Sequence, residues 1–177
     1  MNAKKVLNFW FKNESKWWVK EEAFDAEITS EFAGLYEDAA SGKLDNWVET
    51  DEGILALIIV LDQFPRNMFR GDAKSFAADN KALKIVKAAL RRGVDFALED
   101  NKRAFLYMPL MHSEDIKDQE LCVELFETYG PEGNLIFARK HLNIIRRFGR
   151  FPHRNEVLSR KNTPEENVFL TRDGSGF

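Results

Sequence analysis

The chain has little of several things, and each shortage excludes something. A single cysteine, Cys122, rules out an internal disulfide and any zinc site built from several thiolates. Cys122 sits in the apolar stretch Leu121-Cys122-Val123, where a buried, inert thiol is expected. Only three histidines are present, His112, His141 and His153, and no two of them form an HExxH or His-x-x-x-His pair. A metal site therefore has no motif behind it. The longest unbroken apolar run, residues 54–61, is eight residues, far short of the roughly 20 needed to span a bilayer. The N-terminal apolar stretch is also too short for a signal peptide. A cytoplasmic protein is expected, without a membrane segment, metal or cofactor.

What remains is a chain of 177 residues, suited to one domain over 1–177 with a sizeable core. Fifteen phenylalanines against three tyrosines point to a core rich in aromatic rings, with Trp10, Trp17 and Trp18 part of it. Apolar residues recur at three- and four-residue spacing, and no strand pattern of any length is present. This predicts an all-α fold, an antiparallel array of about seven or eight helices. An opening helix carries Val6, Leu7, Phe9, Trp10 and Phe11. A second covers about residues 21–40 and ends at Ser41-Gly42. A third starts after Thr50 or Asp51 and holds the 54–61 run, whose apolar residues on all faces mark it as central. It is expected to stop near Phe64, because the residue before Pro65 is pushed out of the α region. A fourth starts from a cap at Asp79, and a fifth covers about residues 100–110. A sixth is capped by Ser113 and runs to Tyr129, and a seventh covers about 134–148. Thr163-Pro164-Glu165-Glu166 reads as a capping box opening a short last helix to about Leu170.

Charge is uneven. Residues 139–161 carry eight basic side chains and one acid, a local +7, which leaves −10 for the rest of a chain whose net charge is −3. A general nucleic-acid binder is basic overall, so nucleic acid is not the expected partner. The density peaks in Arg146-Arg147-Phe148-Gly149-Arg150-Phe151-Pro152-His153-Arg154-Asn155, at the end of the seventh helix and on the turn after it. Phe64-Pro65-Arg66-Asn67 echoes Phe151-Pro152-His153-Arg154-Asn155. A third polar cluster is Met108-Pro109-Leu110-Met111-His112-Ser113-Glu114-Asp115.

Arginine interleaved with asparagine and histidine suits recognition of a phosphate or carboxylate. The ligand-binding candidates are Gln63, Arg66, Asn67, Arg70, Arg150, His153, Arg154 and Asn155. His112, Glu114 and His141 are the candidates for proton transfer. The plainer alternative is that these arginines satisfy helix-end carbonyls and that the histidines are hydrogen-bonded structural residues.

At these clusters the sequence resembles the bacterial family called domain of unknown function 924. The matching pieces are Val6-Leu7-Asn8-Phe9-Trp10-Phe11, Leu61-Asp62-Gln63-Phe64-Pro65-Arg66-Asn67 with Phe69-Arg70-Gly71, the cluster at 108–115, the stretch 146–155, and the ending Thr163-Pro164-Glu165-Glu166. The resemblance implies an all-helical fold similar to tetratricopeptide-repeat domains, and it supplies no reaction. The leading expectation is a pocket for a small anionic ligand, with catalysis left open. The alternative is a tetratricopeptide-repeat-like scaffold that binds an acidic peptide or protein in a groove.

Overall fold

In the computed structural model, which describes residues 2–172, eight helices account for the architecture and no strand is present among those residues. They are α1 (Ala3–Lys12), α2 (Glu22–Ala40), α3 (51–68), α4 (Asp79–Arg91), α5 (Asp100–Met111), α6 (Ile116–Tyr129), α7 (Glu132–Phe148) and α8 (Pro164–Leu170). Among the described residues no helix is long and apolar enough to cross a membrane.

Helix α3 organises the rest. Residues 53–65 are all buried, so this rod is enclosed on every side, as its apolar run requires. One side of α3 packs with α1 and α2, where Trp10, Phe24, Phe32 and Phe64 form the centre of a first core cluster. Phe105 of α5 meets Trp10 edge to face, with ring centroids 5.5 Å apart. Ile54 and Ile58 look the other way, toward Val86 of α4, Leu106 and Leu110 of α5, and Cys122 and Phe126 of α6. Helices α5, α6 and α7 pack as successive hairpins, and Ile144, Ile145 and Phe151 begin a third, smaller cluster. Cys122 is buried, and burial pushes its thiol pKa up.

Several local expectations need correction. Helix α3 does not stop at Phe64. Between Asp51–Ile58 and Phe64–Met68 it widens into a π-helical turn, Ile59–Gln63, in which the Phe64 N–H donates to the Ile59 carbonyl. The wider turn lets the chain carry Pro65, which has no N–H to donate, without breaking the rod. Trp10 is buried, but Trp18 is 66% exposed and belongs to no core. The cap of α6 is Asp115, whose side chain accepts from Lys117 N, while the Ser113 hydroxyl donates to Asp118. Asp79 is the first residue of α4 but does not cap it, because its carboxylate is taken by Arg66. The capping box at Thr163 and Glu166 forms as expected, and Gly149 closes α7 in the left-handed conformation at φ 67°.

Gly53, in the first turn of α3, shows how tightly the central helix is seated. A Cβ there would lie 2.0 Å from the carbonyl oxygen of Trp47, a backbone atom that cannot swing aside. Gly53→Ala gains helix propensity yet should destabilise the protein by about 1–3 kcal/mol through overpacking. Urea unfolding of the variant measures it. Equal or greater stability than the wild type would mean that the 45–49 turn yields freely.

Candidate functional site

The π-helical turn sets the site. It places Asp62, fully buried, at the point where α3 faces the end of α5. Three donors converge on its carboxylate. His112 Nδ1 lies 2.8 and 3.0 Å from the two oxygens, Gln63 Nε2 donates at 2.6 Å, and Arg66 Nη1 stands 3.2 Å away. Arg66 also donates to the Asp62 backbone carbonyl, an acceptor within the π turn. Its guanidinium then spans to Asp79 of α4 with two hydrogen bonds of 3.0 and 2.9 Å. Burial by itself would raise the Asp62 pKa, but Arg66 and His112 outweigh it and hold the carboxyl below its usual range. The ionised partner fixes the Nδ1–H tautomer of His112, so Nε2 is the ring nitrogen that carries the lone pair.

The turn after α7 supplies the opposite wall. Arg154 is 6% exposed, and its guanidinium lies 4.5 Å from the ring centroids of both Phe76 and Phe151. The nearest carboxylate is Asp79, 3.6 Å away. Among the described residues the guanidinium of Arg154 makes no hydrogen bond, and its Nε is buried without a partner. Desolvation, together with the nearby Arg66 cation, lowers the Arg154 pKa to about 10. A cavity of about 260 Å³ opens beside it, with Asp79, Asn80, His112, Ser113 and Glu114 as polar lining and Leu83, Pro109 and Leu158 as apolar lining.

The histidines form a row. His112 and His141 have ring centroids 6.3 Å apart, His141 meets Phe151 at 5.5 Å, and Phe151 meets His153 at 5.6 Å. Burial is the leading cause that keeps all three neutral. It lowers His141 to about 3 with help from His112, and His153 to about 4 with help from Arg154. His112 is also lowered by burial and by Arg66, against the pull of Asp62. His141 Nδ1 lies 2.8 Å from the Phe137 carbonyl, one turn back on α7, and donates to it.

The three polar clusters of the sequence therefore meet, though not with every residue expected there. Arg66, His112, His141, His153 and Arg154 come together, and Gln63 contacts Asp62 and the Met108 sulfur just behind them. Arg70 and Asn67 point elsewhere, both bound to Asp25 of α2. Arg150 is held by Glu166 with bonds of 2.6 and 2.7 Å, and Asn155 bonds to Asn162 and Arg160. These residues tie the C-terminal segment down. Glu114 lines the cavity, but its oxygens accept from Arg160 at 2.7 and 3.0 Å and from the Phe151 N–H at 2.7 Å. Burial would raise its pKa, but Arg160 and the Phe151 N–H bring it down, so it anchors the arginine-rich turn as an ionised acceptor.

Asp62, Asp79, Phe76 and Arg160 are not among the ligand-binding and proton-transfer candidates that the sequence offers. Asp62 could have been found, as the one acid directly continuing the fully apolar run of α3. Arg139, Arg146 and Arg147 of the basic segment pair with Glu127, Glu120 and Glu165. Among the described residues no three histidine, cysteine, aspartate or glutamate side chains are grouped to hold a metal ion.

Comparison with known proteins finds a family and a similar solved structure. A family model described as bacterial protein of unknown function (DUF924) matches residues 6–174. A solved structure of a protein of unknown function from Agrobacterium tumefaciens is similar to this chain at 43% identity, with a TM-score of 0.91, covering 95% of this chain and 96% of that one. No curated protein matches.

Proposed function

The chain belongs to this bacterial family of unknown function, and we propose that the cavity beside Arg154 binds a small anion, a phosphate or a carboxylate with a short apolar body. One observation carries the reading. Arg154 is a desolvated guanidinium between two phenylalanine rings, with Asp79 3.6 Å away and no hydrogen-bond acceptor among the described residues. A buried donor without an acceptor is costly, and a bound anion would remove that cost while gaining charge-assisted hydrogen bonds. Arg66, Arg70, Arg150 and Arg160 are each satisfied by a carboxylate and lack that incentive. Within the same cavity, His112 held by Asp62 is the group suited to exchange a proton with the ligand, and His141 stands behind it. The reading thus favours a small-molecule site, with catalysis resting on His112 rather than on Glu114.

The acidic-peptide alternative calls for free cations along an open groove. The pairing of Arg139, Arg146, Arg147 and Arg150 with acids of this same chain weighs against it.

Calorimetric titration with inorganic phosphate, acetate and benzoate tests the proposal. Arg154→Met keeps the packing between Phe76 and Phe151 but removes the charge. It should weaken binding by about 10- to 100-fold, while the melting temperature of the unliganded protein stays close to wild type. A variant that unfolds would make Arg154 a structural residue. Unchanged binding by a folded variant would place the anion elsewhere.

A further inference from the structure

A second cavity, of about 420 Å³, lies between α4, the 94–97 turn and α6, away from the residues that surround Arg154. Leu90, Leu121 and Leu125 give it apolar walls, and Phe96 and Tyr129 stand at its lip. These two rings meet edge to face at 5.3 Å yet are 65% and 44% exposed. The polar group in the lining that is buried is Asp95, 3% exposed, on the short 3-10 turn after Gly93. One of its carboxylate oxygens accepts from the Tyr107 hydroxyl at 2.9 Å. The other, Oδ1, is buried and has no hydrogen-bond partner among the described residues.

An orphaned carboxylate oxygen beside a cavity with leucine walls asks for a donor. The chain's own nearby donors are engaged elsewhere. Arg103 donates to the carbonyls of Asp95, Leu98 and Tyr129, and Lys87 is paired with Asp118 at 2.5 Å. Arg91 lines the cavity too, but it is solvent-exposed, where water screens its charge. The Tyr107 hydroxyl holds the carboxylate in orientation, and burial followed by Asp95 itself raises the tyrosine pKa, which keeps the hydroxyl a donor.

We propose that this cavity binds a small primary ammonium ion with an apolar body. The ammonium donates to Asp95 Oδ1, the body rests on the leucines, and the exposed Phe96 and Tyr129 rings offer their faces to the charge. The volume suits a ligand of one ring or a short branched chain. This inference stands apart from the anion reading of the other cavity, and either can fail alone.

The test is calorimetric titration of the full chain with 2-phenylethylammonium and, separately, with 3-phenylpropionate, which has a similar body and the opposite charge. The ammonium should bind and the carboxylate should not. Asp95→Asn, which can keep the Tyr107 hydrogen bond, should weaken ammonium binding by at least about tenfold. Leu125→Trp leaves Asp95 and Tyr107 in place, fills the cavity, and should abolish binding; it decides the matter if the Asp95 variant fails to fold. No ammonium binding by the wild type, equal binding of the carboxylate, or undiminished binding by a folded Asp95→Asn or Leu125→Trp protein would overturn the proposal.

Discussion

Asp62→Ala should cost the protein about 3–5 kcal/mol and lower its melting temperature by roughly 10 °C. The loss follows from what the residue leaves behind. Arg66 keeps Asp79, but the buried end of its ion-pair chain disappears, and His112 Nδ1 loses its acceptor in a site 15% exposed. Gln63 loses its 2.6 Å bond as well. With the pull of Asp62 removed, burial and Arg66 depress the His112 pKa still further. Asp62→Asn is the gentler variant: it keeps one acceptor for His112 but not the charge, and it should fall between wild type and alanine. Thermal unfolding of the three proteins at neutral pH checks the order. An alanine variant within a degree or two of wild type would mean that the buried network is dispensable to the fold.

The second large effect is acid lability. His141 at about 3 and His153 at about 4 both lie below the roughly 6.5 of histidine in an unfolded chain. A folded-state pKa depressed in this way gives stability that is full above pH 6.5 and is lost as the pH falls toward the folded values. The unfolded chain takes up the protons and the folded one resists them. Each histidine contributes a slope of up to about 1.4 kcal/mol per pH unit in that window, so the pair gives up to about 2.8. Glu114 adds its own loss below its ordinary range, because its pKa is lowered in the folded state. Urea midpoints measured from pH 7 to pH 4.5 should therefore fall steeply, beginning near pH 6.5 rather than near 4.5. A flat profile down to pH 5 would contradict the buried, neutral state of these imidazoles. Saturating phosphate should blunt the fall, since an anion beside Arg154 favours protonation of the neighbouring histidines.

How much of this was legible in the sequence depends on the range of the interaction. Helix α8 was read from Thr163-Pro164-Glu165-Glu166 because a capping box is made entirely of residues within one turn. The end of α7 at Gly149 was legible for the same reason. The centrality of α3 followed from a run with no polar side. Its course past Phe64 did not, because the Pro65 rule assumes α-helical hydrogen bonding and the chain switches to a π turn for one stretch. The candidate site was half legible. Residue type and density pointed to the right segments, but which arginine lacks a hydrogen-bonded carboxylate is decided by acids far away in sequence. Glu166 claims Arg150 and Asp25 claims Arg70, while Arg154 is left with a 3.6 Å approach to Asp79. Asp79 looked like a helix cap because local sequence cannot show that Arg66 reaches it from another helix.

That guanidinium, ion-paired to Asp79 at 3.6 Å but without a hydrogen bond, is the centre of the functional account, and the most direct measurement is crystallographic. Crystals of the wild-type protein soaked in bromide and, separately, in selenate would be examined by anomalous scattering. The account predicts a peak within hydrogen-bonding distance of Arg154, on the His112 side of the cavity, that vanishes in Arg154→Met. Anion peaks confined to exposed lysines and arginines, with only water beside Arg154, would contradict it.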